Sequence, residues 1–120
     1  MRIFRSGYKV NFVDTNDVLV GYDFGEQCCE RFGYFFSDVP PPCVEDSGPP
    51  NYKMPDENEP EDLADFCFDK NYFNNSEELA TFRLIGPRQL YLSLYNIHNG
   101  YYSHGFEMSV GGEIIRDGKL

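Results

Sequence analysis

"LATFRLIGPRQLYLSLYNIHNGYYSHGFEMSVGGEIIRDGKL", residues 79–120, is the stretch that decides the fold. Apolar and polar side chains alternate along it with the period that is typical of a half-buried β-strand. Leu90, Leu92 and Leu94 share one face of such a strand, and the residues between them share the other. Turn-forming dipeptides made of glycine, proline and asparagine separate the strand-like segments at the spacing of hairpin turns. The pattern predicts an antiparallel meander with strands over residues 79–85, 89–97, 101–110 and 113–120.

The first third of the chain adds three more strand-like runs. Tyr8, Val10 and Phe12 alternate with polar residues and are therefore predicted to share one buried strand face. Residues 14–17 are rich in turn formers. Gly21 predicts either a β-bulge or a close approach of another group to the backbone. The three runs cover residues 8–13, 18–22 and 32–36.

Together these runs predict a mainly β protein with about seven strands. We expect residues 1–120 to form a single antiparallel-sheet domain, built as a sandwich, a roll or a partly closed barrel. A chain of 120 residues suits one core and leaves little room for a second. At most one short helix is expected, over residues 58–66, where Pro60 suits the first turn and Leu63 and Phe66 supply apolar contacts.

An acidic, proline-rich segment interrupts the strands. From Asp38 to Asp65 the chain carries nine acidic residues and the single base Lys53, a net −8 out of the total −10. The same segment holds seven of the eight prolines. Proline disfavours both helices and the interior of sheets. We therefore expect residues 38–60 to be an acidic surface loop within the domain.

The net charge of −10 restricts the classes of partner. Binding to nucleic acid depends on lysine and arginine, and an anionic membrane surface would repel this chain. No apolar run approaches the roughly 20 residues that span a bilayer, and the N-terminal residues lack the apolar core of a signal peptide. We therefore expect a soluble, cytoplasmic protein, in which the charge serves either a basic protein partner or solubility alone; the oligomeric state is left open.

Four cysteines, Cys28, Cys29, Cys43 and Cys67, are the candidates for thiol chemistry. Their spacing differs from that of paired cysteines in zinc sites, and adjacent residues of a strand point to opposite faces. Disulfides require an oxidising compartment, and the acidic neighbours of Cys28 and Cys29 oppose thiolate formation. Packing is therefore the expected role, with one thiol of the adjacent pair facing inward and the other in a turn.

The stretch "NIHNGYYSHGF", residues 96–106, contains both histidines. His104 occupies an apolar-facing position, so we expect a buried, neutral ring that holds a hydrogen bond. His98 is expected in an exposed turn, where Tyr101 and Tyr102 would add an aromatic patch of the kind found in recognition surfaces. No catalytic residue, metal ligand or cofactor is assigned. The candidate binding residues are Cys28, Cys29, His98, Tyr101, Tyr102 and His104.

Four short motifs, "FVD" (12–14), "VGYD" (20–23), "CCE" (28–30) and "HNGYYSHGF" (98–106), carry a resemblance. They are similar to motifs of a type of small, uncharacterised bacterial or phage protein with a domain of unknown function. The resemblance covers both ends of the chain and skips the proline-rich middle. It implies one compact domain and brings no activity, cofactor or catalytic residue with it.

These observations favour a protein-binding module over an enzyme. One alternative is a small metal-binding or cysteine-dependent enzyme that uses Cys28, Cys29 and His104. The other is an acidic inhibitor or immunity-type protein that presents residues 38–65 to a basic partner.

Overall fold

Antiparallel β-strands make up nearly all the regular structure of the residues that the computed structural model describes, which are 1–25, 31–40, 59–76, 78–97 and 103–120. Within those residues there are nine strands, which form two sheets. In chain order the strands are β1 (Arg2–Ser6), β2 (Lys9–Val13), β3 (Val18–Asp23), β4 (Arg31–Ser37), β5 (Cys67–Asn75), β6 (Leu79–Ile85), β7 (Leu90–Ile97), β8 (Gly105–Val110) and β9 (Glu113–Lys119). The five-stranded sheet has the order β1-β2-β3-β8-β9, and the four-stranded sheet has the order β4-β7-β6-β5. The predicted mainly β, antiparallel fold is confirmed.

The two sheets share one core, so the fold is a β-sandwich. Phe12 on β2 meets Tyr34 on β4 edge to face, with ring centroids 5.0 Å apart. Phe82 on β6 meets Phe106 on β8 in the same manner at 6.2 Å. Such aromatic pairs contribute about 0.5–1.5 kcal/mol each beyond the burial of their surface. The high aromatic content of the sequence is therefore used to join the sheets.

A buried tyrosine hydroxyl forms a hydrogen bond between the two sheets across the core. The hydroxyl of Tyr22 on β3 donates a hydrogen bond to the carbonyl oxygen of Tyr95 on β7 at 2.8 Å. Burial, with smaller contributions from Tyr95 and Asp23, raises the pKa of Tyr22 far above its ordinary value. The phenol therefore keeps its proton, and its role as donor, throughout the physiological pH range.

Asp14 closes the turn between β2 and β3 and links it to the other sheet. Its Oδ1 accepts hydrogen bonds from the backbone N–H groups of Asn16 at 2.8 Å and Val18 at 3.0 Å. Its Oδ2 accepts a third from the N–H of Phe68 on β5 at 2.9 Å. The predicted turn at residues 14–17 is therefore confirmed, and its buried first residue also fastens the four-stranded sheet.

Two of the nine strands, β1 and β5, lie outside the seven predicted runs. Most side chains of β1 are exposed, so the strand shows no apolar alternation. The pairing of β5 with β6 shifts register between Phe68 and Phe73, and this irregularity breaks the alternation of β5. The prediction for Tyr8 is also wrong: it does not share a buried face with Val10 and Phe12, because it lies in the turn between β1 and β2 and is 77% exposed.

Two glycines explain this local geometry. Gly7 has a φ of 61°, a left-handed conformation that glycine adopts easily at the first central position of a two-residue hairpin turn. At Gly21 the predicted bulge is wrong, because the residue pairs regularly with Asn11 and Glu107. The predicted close approach is present instead: a β-carbon at Gly21 would lie 3.2 Å from Oδ1 of Asn11.

The predicted helix over residues 58–66 is reduced to one 3-10 turn at Leu63–Asp65. It ends there because Phe66 is already extended and leads into β5. Leu63 and Phe66 are both buried, so their predicted apolar contacts are confirmed. In the part of the chain that the structure describes, no helix has the length and apolar character needed to cross a membrane.

Arg88, in the turn between β6 and β7, joins the two ends of the acidic segment. Its Nη1 lies 2.7 Å from Oδ1 of Asp38, and its Nε and Nη2 each lie 3.0 Å from the carboxylate of Asp62. Hydrogen bonding to Arg88 lowers the pKa of Asp62. The guanidinium also lies over the ring of Phe66, 5.6 Å from its centroid. Residues 41–58, the larger part of the predicted surface loop, lie outside the described residues.

Candidate functional site

His104 immediately precedes β8 and lies inside the sandwich. It is 1% exposed and stacks on Phe32 of β4, with centroids 3.9 Å apart and ring planes inclined by 19°. Its Nδ1 lies 2.8 Å from the carbonyl oxygen of Asp23. Since a carbonyl only accepts, Nδ1 carries the proton in this hydrogen bond. The predicted buried, hydrogen-bonded histidine is confirmed, and its partner is the backbone of β3.

A pocket of about 380 Å³ opens beside His104. Three segments that are distant in sequence form it: the β1–β2 turn, the end of β3 and the residues before β8. Its volume falls within the range of about 300–1,000 Å³ that is usual for ligand pockets. The described residues that line the pocket are Tyr8, Asp23, Gly25, Ser103 and His104.

The carboxylate of Asp23 is oriented by a local turn. Its Oδ1 accepts a hydrogen bond from the N–H of Gly25 at 2.7 Å. A β-carbon at Gly25 would lie 2.9 Å from this oxygen and 3.5 Å from Cβ of Tyr8, so glycine leaves room for the carboxylate beside the tyrosine. Among the described residues, Asp23 has no cationic partner and no second hydrogen bond to its carboxylate.

Asp23 also lines a second cavity of about 350 Å³, on the outward face of the five-stranded sheet. Charged side chains of β2, β8 and β9 surround it. Lys9 and Glu107 form an ion pair there at 2.7 Å, while Asp117 and Lys119 line the cavity farther along. We call this cavity and the adjoining pocket, which share Asp23, the Asp23 groove.

The chemistry of the groove suits recognition. It offers a carboxylate, a hydroxyl and an exposed aromatic ring around one opening. Among the described residues, no group of three or more His, Cys, Asp and Glu side chains is placed to hold a metal ion. Cys67, the cysteine that the structure describes, is a free thiol 3.6 Å from Oγ1 of Thr15 and does not line the groove.

Of the six predicted binding residues, His104 lies within the described part of the chain. His104 lines the pocket, and its part in binding stays a prediction. Tyr8 and Asp23 were not among the predicted binding residues. Local signals for both exist in the sequence: Gly7 before Tyr8 marks a hairpin turn, and an aspartate two residues before Gly25 matches a turn closed by its own side chain. Outside the described residues lie Cys28, Cys29, His98, Tyr101 and Tyr102.

Comparison with known proteins leaves the site to be interpreted from its own geometry. No protein-family model matches the chain, and no curated protein or solved structure is significantly similar to it. The resemblance to small bacterial or phage proteins therefore stays a prediction, as does a metal or cysteine site that combines Cys28 or Cys29 with His104.

Proposed function

We propose that the protein is an interaction module that binds a basic segment of a partner protein along the Asp23 groove. One observation carries the proposal: the carboxylate of Asp23 stands where the pocket and the second cavity meet, held in place by Gly25 and without a cation among the described residues. A half-buried carboxylate positioned in this way favours a cationic ligand. The net charge of −10 would also speed the encounter with such a partner.

The dimensions of the groove favour a short extended segment. The second cavity is lined by residues of β2, β3, β8 and β9, which are neighbours in the sheet. Neighbouring strands lie about 4.8 Å apart, so three spacings cover about 14 Å, the length of about four extended residues. Of the lining charges, three are acidic and two are basic: Asp23, Glu107 and Asp117 against Lys9 and Lys119.

With this function we also propose a location for the protein and exclude one class of partner. We place the protein in the cytoplasm as a soluble domain, and we exclude nucleic acid as the partner because the net charge of −10 repels a phosphate backbone. An acidic surface at residues 38–65 that acts on a basic partner is a different mode of recognition, because it does not require the groove.

A selection of displayed random peptides on the immobilised full chain tests the proposal. Asp23→Asn removes the charge but keeps the oxygen that accepts from Gly25. Asp69→Asn is a matched control, because Oδ1 of Asp69 accepts from the N–H of Asn71 at 3.0 Å on the other sheet. We expect lysine- and arginine-rich peptides to be enriched. They should bind the Asp69→Asn variant like the wild type and the Asp23→Asn variant at least tenfold more weakly, a loss of about 1.4 kcal/mol.

Two results would count against the groove. One is a selection that yields no binder, and the other is a set of peptides that binds wild type and Asp23→Asn equally. Deleting residues 44–58 separates the two modes of recognition. Binding in the groove survives this deletion, whereas recognition through the acidic segment is lost with it.

A further inference from the structure

The pocket end of the Asp23 groove brings a carboxylate and an aromatic ring to one opening. The carboxylate of Asp23 has no cationic partner among the described residues, and the ring of Tyr8 on the pocket rim is 77% exposed. We propose that this pocket binds the guanidinium group of an arginine side chain presented by the partner. The inference rests on the proposed function and adds the residue type that the pocket selects.

The chain itself contains the arrangement that we expect in the complex. The guanidinium of Arg88 forms two hydrogen bonds of 3.0 Å with the carboxylate of Asp62 and lies over the ring of Phe66, 5.6 Å from its centroid. The pocket presents a carboxylate and a ring as well, Asp23 and Tyr8, while Asp38, the second carboxylate that contacts Arg88, has no counterpart among the described residues that line it. A carboxylate beside an aromatic face is therefore a combination that this protein already uses to hold arginine.

Arginine fits the pocket better than lysine does. Its planar fork matches a carboxylate with two parallel hydrogen bonds and stacks on an aromatic ring, whereas lysine is a strongly hydrated point charge. The hydroxyl of Ser103 offers an acceptor for a further N–H group. Two neighbouring cations have other contacts, since Lys9 pairs with Glu107 at 2.7 Å and the guanidinium of Arg5 lies over the ring of Phe24 at 5.2 Å.

A titration of the full chain with blocked single amino acids, followed by NMR at the backbone amides, tests this inference. The probes are the N-acetyl, N-methylamide derivatives of arginine, lysine and citrulline, of which citrulline is the uncharged analogue of arginine. We expect saturable shifts with arginine at millimolar concentration, weaker effects with lysine and none with citrulline. The shifts should centre on the amides of Tyr8, Gly25, Ser103 and His104.

Variants of the full chain identify the contacts. Asp23→Asn should weaken arginine binding at least tenfold, while Asp69→Asn leaves it unchanged. Tyr8→Phe keeps the ring and should bind as the wild type does, whereas Tyr8→Ser should bind several-fold more weakly. Tyr8 lies in an exposed turn, so both substitutions leave the core intact. Equal shifts from citrulline and arginine, or unchanged affinity in Asp23→Asn, would overturn the inference.

The peptide selection and the titration fail in different ways. If basic peptides bind the groove and the arginine probe leaves the pocket amides unshifted, the interaction module stands and the arginine pocket is wrong. If the probe binds and no peptide is selected, the pocket stands and the binding of a protein segment is wrong. If neither binds, both proposals are wrong.

Discussion

Replacing Asp14 by alanine removes one carboxylate that serves three backbone donors. The N–H group of Asn16 belongs to the β2–β3 turn and that of Val18 to the first residue of β3, whereas that of Phe68 belongs to β5 in the other sheet. Asp14 is 7% exposed and Phe68 is 4% exposed, so water has little access to replace the lost acceptor. The substitution therefore weakens a turn and a connection between the sheets at the same time.

The three lost hydrogen bonds set the size of the effect. An N–H group left without a partner in the core costs about 1–3 kcal/mol, and we take about 2 for Phe68. The N–H of Val18, a residue that is 1% exposed beside a surface turn, costs about 1 kcal/mol at the lower end of that range, whereas the exposed Asn16 regains a water partner at little cost. We therefore expect Asp14→Ala to lower the free energy of unfolding by about 3 kcal/mol. Asp14→Asn keeps one acceptor oxygen and should lose about half as much.

Urea denaturation followed by circular dichroism measures this loss. With an m value of about 1.5 kcal/mol per molar urea, a loss of 3 kcal/mol lowers the midpoint by about 2 M. Asp65→Ala is the control: it removes the same charge from an exposed residue of the 3-10 turn and should change stability by less than about 0.5 kcal/mol. An Asp14→Ala midpoint as close to wild type as that of the control would refute the assignment of Asp14 as a connection between the sheets.

The effects of four further substitutions can be measured by urea denaturation. Tyr22→Phe removes the hydroxyl that bonds to β7 and should cost about 1 kcal/mol in urea denaturation. Gly118→Ala places a β-carbon 2.8 Å from a buried phenylalanine ring and should cost about 1–3 kcal/mol. Gly105→Ala, where the nearest atom is 3.8 Å away, should cost less than about 0.5 kcal/mol. Arg88 lowers the pKa of Asp62, so the stability contributed by this pair is present above the ordinary aspartate pKa of 3.8 and is lost as the pH falls below it. Arg88→Gln should therefore lower the stability more at neutral pH and converge with wild type in acid.

The strands that alternate cleanly could be predicted, and those that do not could not. In β7 the alternation of three leucines predicts a strand directly, although the structure buries both faces of this strand. The sequence does not predict β1 or β5, because exposure in β1 and a register shift in β5 remove the alternation of buried and exposed side chains. Periodicity reports only the contrast between two faces of a strand. A strand that lacks such contrast is recognised from its pairing partner, which a single sequence does not reveal.

The pocket was harder to predict for a related reason. His104 stood out because a histidine interrupts an apolar face, and its burial followed from that position. Asp23 does not interrupt an apolar pattern in this way. It lines the pocket because β3 pairs with β8, some 80 residues later in the chain. Tyr8 reaches the same pocket from a third segment. Local motifs indicate turns and strands, but long-range pairing determines which turns meet.

The connection between the sheets and the proposed recognition site lie at opposite ends of β3. The strand begins at Val18, where Asp14 holds the turn that precedes it, and ends at Asp23, where the groove is formed. Hydrogen bonds of Asp14 run to the turn and to β5, and none of its partners lines the groove. Asp14→Ala should therefore lower stability while the remaining folded protein keeps its affinity for arginine. Asp23→Asn should do the reverse, since it keeps the hydrogen bond to Gly25 and removes only the charge. Variants that lowered both properties together would show that the groove depends on the tie between the sheets, and the assignment of Asp23 as a recognition residue would then lose its support.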